Sequence, residues 1–195
     1  MKRQLWAVVL FVLGMAGATA NAAQGDWLVR ARAIYLAPDA SSSALNLNVD
    51  TRWAPELDFS YFATNNLALE LILATRQHDV SAGNSAIGSV KHLPPTLTLQ
   101  YHFLPDGAFR PYVGAGINYT RFYDVHLQGG AATVDRNSWG GALQVGFDVP
   151  INKTFFVNFD VKKVWIDTDV KSNGAKVDHL NIDPLIVGFG VGMKF

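Results

Sequence analysis

The chain has 195 residues, with 16 basic and 16 acidic side chains, five histidines and no cysteine. No disulfide staple and no thiol chemistry are therefore available, and the balanced charge offers no basic face for nucleic acid. A mean hydropathy of +0.12 is low for a bundle of membrane helices and ordinary for a barrel, where only alternate residues meet lipid.

The N-terminus has the layout of a secretory signal peptide. Met1-Lys2-Arg3 is positive, Leu5 to Ala18 is uncharged and apolar, and Ala20-Asn21-Ala22 offers small residues for cleavage after Ala22. The apolar stretch is shorter than the roughly 20 residues a spanning helix needs. Residues 1–22 are accordingly expected to be removed, leaving 23–195 as one domain with 14 basic and 16 acidic residues. No later segment reads as a transmembrane helix. A membrane protein without one must close its backbone hydrogen bonds as a barrel; the competing reading is a soluble periplasmic protein.

Parity along the mature chain gives eight alternating segments. Trp27 to Leu36 places Trp27, Val29, Ala31, Ala33 and Tyr35 on one side. Glu56 to Phe62 shows Leu57, Phe59 and Tyr61, and Leu67 to His78 shows Leu67, Leu69, Leu71 and Leu73 opposite Glu70. Leu93 to Phe103 sets Leu97, Leu99 and Tyr101 against Thr96, Thr98, Gln100 and His102. Tyr112 to Phe122, Trp139 to Val149 and Phe155 to Ile166 continue the pattern. The last strand, Leu185 to Phe195, is about as long as a tilted membrane strand needs, roughly 9–11 residues. It ends on an aromatic, Phe195, an ending that resembles the assembly signal of bacterial outer-membrane barrels; a docked soluble C-terminal strand is the alternative. Links after the second, fourth and sixth strands are short. Those after the first, third, fifth and seventh, about 37–55, 79–92, 123–138 and 167–182, are long. Short turns on one rim and long loops on the other, with aromatics near strand ends, are the asymmetry of an outer-membrane barrel with both termini periplasmic. A lipocalin-like soluble barrel could share the parity but not this asymmetry.

The string His92-Leu93-Pro94-Pro95-Thr96-Leu97-Thr98-Leu99-Gln100-Tyr101-His102-Phe103 resembles the fourth-strand signature of the OmpW family of outer-membrane proteins. Arg110 to Tyr119, Asn66 to Thr75 and Asp183-Pro184 fit it as well, so the resemblance covers essentially the whole mature chain. It implies an all-β, eight-stranded antiparallel up-and-down barrel in the outer membrane of a Gram-negative cell, thought to pass small hydrophobic molecules. The loops match no usable pattern, so substrate identity does not carry over.

With odd positions on lipid, even positions fill the lumen: Arg30, Arg32, Glu56, Asp58, Glu70, Gln100, His102, Asn118, Gln144, Asp148, Asn158, Asp160, Lys162 and Lys194. An eight-stranded barrel is only wide enough for side chains, so these groups are expected to pair as a polar plug. Gly114, Gly116, Gly146, Gly188, Gly190 and Gly192 are expected to make room for them. Farther along the strands the same parity turns Ile34, Leu36, Phe122, Val164, Ile166, Leu180 and Ile182 inward as an apolar funnel, with 164–182 as a ribbon turning at Asn173-Gly174. Bulges near Lys162-Lys163 or Asp183-Pro184 would instead turn them outward. Pro94-Pro95 removes two backbone donors at one end of the fourth strand and reads as a lateral gate, or simply as the strand's end.

No motif points to catalysis. No Gly-x-Ser-x-Gly elbow and no His-x-x-x-His pair exists, so the residues suggest no enzyme, metal or cofactor. The expected partners are outer-membrane lipid, small hydrophobic ligands and the outer-membrane assembly machinery. The function expected is a passive route for small hydrophobic molecules, exiting sideways to the bilayer. The alternative is a closed structural or receptor barrel.

Overall fold

A computed structural model describes residues 23–37, 39, 41–42, 47–49, 52–74, 76–82, 85–127, 132–172 and 175–195. The signal-peptide expectation for 1–22 and the Asn173-Gly174 turn lie outside the described residues. Eight antiparallel strands form the wall: β1 (Trp27–Ala37), β2 (Arg52–Phe62), β3 (Leu67–Ala74), β4 (Thr96–His102), β5 (Arg110–Leu127), β6 (Asn137–Pro150), β7 (Phe155–Val164) and β8 (Leu185–Lys194). Each pairs with its chain neighbours, and β8 returns to β1 in a register from Leu28–Lys194 to Ala37–Leu185. The seam ends with Trp27 and Phe195 exchanging backbone hydrogen bonds at 3.0 Å in both directions. A closed ring leaves no unpaired sheet edge, the condition for placing strands in lipid.

Alternation is obeyed along every wall strand, and its sense is inverted relative to a soluble protein. Leu99, Val145, Phe189 and Trp139 point outward and are exposed, whereas Arg30, Glu70, Gln100 and Asp160 point inward and are buried. Aromatic pairs belt the outside near both ends: Tyr35–Trp53 and Tyr119–Trp139, tilted, at one, and Trp27–Tyr61, tilted, with Tyr101–Phe103, edge to face, at the other. Rings at these levels suit the two membrane interfaces.

Several boundaries differ from the periodicity. β2 begins at Arg52 rather than Glu56 and carries Pro55 inside it, opposite Ala33. The third strand stops at Ala74, and Arg76–Ala82 then pairs with Ser85–Leu93 as a separate hairpin. β5 runs on to Leu127, because Ser85–Leu93 supplies it with a partner beyond β4. At the end away from the termini, Asp167–Ser172 pairs with Ala175–Asn181 as the expected ribbon. Asp183 breaks regularity there with a φ of +33°, and its carboxylate accepts from Ile166 N–H at 2.9 Å. This local irregularity does not reset parity, since Val164, Ile166, Leu180 and Ile186 all stay buried.

Candidate functional site

The lumen is built in three layers. At the end holding the termini, Leu28, Phe62, Ala68 and Phe156 make a small apolar cluster. The charge pattern did not draw attention to it, although the even positions of Leu28, Phe62 and Phe156 were the signal that could have. Above it lies the polar layer. Arg30 reaches Asp58 at 3.0 Å, Asp148 at 3.1 Å and Glu70 at 3.6 Å. Arg32 reaches Asp58 at 2.6 Å, Glu56 at 2.8 Å, Glu70 at 3.2 Å and Asp160 at 3.9 Å. Lys162 lies 2.7 Å from both Glu56 and Asp160. Both arginine side chains are fully buried, so their charges persist only because carboxylates surround them.

Neutral side chains join these ions. Gln144 Nε2 and Thr98 Oγ1 both donate to Glu70 Oε2, at 2.8 and 2.9 Å. Tyr112, which the list of polar lumen residues omitted, donates to Asp160 at 3.1 Å and accepts from Asn158 at 3.0 Å. Its ring lies 5.5 Å from the Arg30 guanidinium. His102 bonds Gln100 at 3.1 Å, and its ring centroid lies within 5.0 Å of those of both Phe62 and Tyr112. The glycines serve two purposes. A Cβ on Gly146 would meet the Tyr112 ring at 2.5 Å, and one on Gly192 the Phe156 ring at 2.1 Å. At Gly116 and Gly190 the obstacle is instead the backbone of the neighbouring strand, so these two permit close strand approach rather than room for a long side chain.

The third layer is apolar. Ile34, Leu36, Phe122, Val164, Ile166 and Leu180 are buried in one cluster with Ala54, Val134, Ala142, Val170 and Ile186, and Ile182 packs partly buried against it. All seven residues expected to face inward are thus together. Among the described residues they pack on one another around a cavity of about 30 Å³. That holds one water-sized body, because a lumen this narrow is filled by side chains of ordinary size. The cavity rests on the Glu56–Lys162 pair, and Ile72, Ala74, Pro94 and Thr96 form its wall on the β3–β4 side.

That stretch of wall is where backbone pairing is broken. β3 and β4 pair from Leu67–Tyr101 to Ile72–Thr96, and the flanking hairpin resumes in the same register at Arg76–His92. His102 N–H donates to Asn66 O at 2.7 Å, which sets the hydrogen-bonding groups of even-numbered β3 and β4 residues toward each other. One hydrogen-bonded pair is therefore missing among the described residues, Ala74 with Pro94. Pro95 belongs to the opposite side. Its carbonyl accepts from Tyr119 N–H of β5 at 3.0 Å, and that seam continues through Leu93–Arg121. The two donors expected to be missing at this end of the fourth strand thus belong to different seams: alternation sends Pro94 toward β3 and Pro95 toward β5.

Phe195 lies half exposed at the opposite end, its backbone closing the β8–β1 seam. Among the described residues no group of three or more His, Asp or Glu side chains could hold a metal ion.

Residues 23–195 match the family model described as the OmpW family. A relative named uncharacterized outer-membrane protein y4mB, from Sinorhizobium fredii, is 41% identical over 93% of this chain and 86% of its own. Outer membrane protein W of Vibrio cholerae is 34% identical over 88% of this chain and 89% of its own. The crystal structure of OprG from Pseudomonas aeruginosa superposes with a TM-score of 0.80 at 30% identity, covering 91% of this chain and 99% of that one. A shorter match, 34% identical over 56% of this chain and 53% of the relative, is to a Pseudomonas aeruginosa protein named dibenzothiophene metabolism operon protein PahQ.

Proposed function

The chain belongs to the OmpW family of outer-membrane barrels, and from that premise we propose that it passes small apolar molecules from the outside into the bilayer through the Ala74–Pro94 break. In this reading the termini face the periplasm and the long-loop end faces outward. Small aromatic compounds are the cargo class proposed, and the operon name carried by the PahQ relative supports it. Outer-membrane lipid receives the cargo, and the assembly machinery reads the strand ending in Phe195.

The observation that carries the proposal is the coincidence of two features. The apolar layer stands directly on a charged floor, and its cavity touches the wall where a backbone pair is absent. An apolar cargo resting on Glu56 and Lys162 cannot descend, since each step would separate buried ion pairs that cost several kcal/mol to leave uncompensated. Sideways movement needs only the apolar side chains and the interrupted seam to part. The 30 Å³ cavity is too small for a bicyclic hydrocarbon, so passage requires repacking of residues such as Phe122 and Ile166.

A chain without cysteine permits a clean test. Cysteines replacing Ala74 and Pro94 should form a disulfide across the gap. Pyrene uptake by whole cells should then fall when the bond forms and recover on reduction. Undiminished uptake with the crosslink complete would remove the lateral route. The close packing of the apolar layer around so small a cavity favours the second reading, a closed structural or receptor barrel. That reading predicts no dependence of uptake on the protein at all.

A further inference from the structure

The proline ring accounts for half of the missing pair. Pro94 has no N–H to give Ala74 O, but its carbonyl is a full acceptor, and an uninterrupted ladder would fill it with the Ala74 N–H. Instead Thr96 Oγ1 donates to Pro94 O at 3.2 Å. Asn118 Nδ2 donates to Thr96 Oγ1 at 2.8 Å and approaches Pro94 O at 3.3 Å and Pro95 O at 3.4 Å. The far end of the amide is fixed, because Thr120 Oγ1 donates to Asn118 Oδ1 at 2.7 Å. The two proline carbonyls, which can only accept, identify the near atom as the amide nitrogen, and the Thr120 bond holds the NH2 group toward β4. Thr96, Asn118 and Thr120 are all buried, and the first two line the cavity.

We propose that Asn118 is a positioning residue for the lateral break: with Thr120 and Thr96 it holds the Pro94 carbonyl toward the lumen, so that the Ala74 N–H cannot close the seam. The inference rests on the Ala74–Pro94 break being the exit. The competition is close and favours the relay. Closing the pair would make one backbone hydrogen bond while disturbing the Thr96–Pro94 and Asn118–Thr96 bonds, and each such bond is worth about 1 kcal/mol net. A backbone donor in the wall of a barrel is otherwise expected to be paired, and a carbonyl with two lone pairs could serve both donors, so it is the turning of the acceptor away from β3 that marks a seam built to stay open.

The test is amide hydrogen exchange at Ala74 in the full barrel reconstituted in lipid, read beside pyrene uptake by cells. Asn118→Leu and Thr96→Val each break the relay without a large change of volume. Both should slow exchange at Ala74 roughly five- to tenfold, the worth of one restored hydrogen bond, and both should lower uptake. Thr96→Ser keeps the hydroxyl and should behave as the parent protein. Pro94→Ala restores a donor to β4 but leaves the carbonyl held, so Ala74 should still exchange at the parent rate until Asn118→Leu is added. Parent-rate exchange in both Asn118→Leu and Thr96→Val would overturn the proposal. So would full protection of Ala74 by Pro94→Ala alone, since the ring would then explain the whole break. Slowed exchange with undiminished uptake would uphold the relay and remove the exit instead.

Discussion

The polar and apolar layers of the lumen are formed by the same strands with the same alternation, yet they are held in different ways. In the polar layer the charges depend on one another: Arg32 alone contacts four carboxylates on three strands. Such a network is rigid because moving any member strands a buried charge. In the apolar layer Ile34, Phe122 and Ile166 touch through dispersion and burial alone, which are non-directional and survive repacking. The backbone follows the same division. The β3–β4 seam is paired beside the charges and loses a pair at Pro94, beside the apolar layer. That division of labour is what the proposed passage of an apolar molecule over a charged floor would need.

Three substitutions sharpen or break this contrast. The largest effect is expected in the polar layer. Arg32→Leu removes the one cation that reaches all of Glu56, Asp58, Glu70 and Asp160, leaving two of them to Arg30 and two to Lys162, and should cost about 3–5 kcal/mol, seen as a lower denaturation midpoint in detergent micelles. A variant as stable as the parent would show that the network adds no rigidity. The next effect is on transport rather than stability. Ile166→Asp places a carboxylate in the apolar cluster beyond the last residue of β7, Val164. Opposing apolar cargo by about 1–3 kcal/mol, it should lower pyrene uptake tenfold or more while the barrel still folds. Parent-like uptake in the folded variant would place the path outside this layer.

The smallest effect belongs to the ribbon beyond the barrel. There Lys176 and His179 donate to Asp169, at 2.7 and 2.6 Å, and hold its carboxyl below the usual range. A depressed carboxylate contributes stability above its unfolded value, near 3.9, and loses it as pH falls through the lower folded value. Acidification below about pH 4 should therefore speed amide exchange in Asp167–Ser172 slightly and leave the barrel intact. An equal response in Asp169→Asn would assign the change to other groups.

Much of this molecule was legible from spacing. The positions of Glu70, Gln100 and Asp160 inside, and of Leu97 and Phe189 outside, follow from a period of two, which is a local property of an extended chain. The inward turn of Ile34, Phe122 and Leu180 followed from the same parity. What parity could not supply was partnership. Tyr112 reads as one more aromatic near a strand end, and only barrel closure sets it beside Asp160 and Arg30. Leu28 and Phe156 lie on β1 and β7, far apart along the chain, and closure through the single β8 strand between them brings both into one cluster.

By itself, then, the sequence determined that the strands alternate, which side of each meets lipid, and that charge fills the middle of the lumen. Tertiary structure decided how closely the described apolar residues pack on one another, because that depends on the radius of the closed ring. It also decided which seam loses a pair. Pro94 and Pro95 are adjacent and chemically identical, but a strand directs successive backbone groups to opposite neighbours, and register with β3 and β5 sets which neighbour each one faces. A lateral break is a relation among three strands, and no single strand's pattern encodes it.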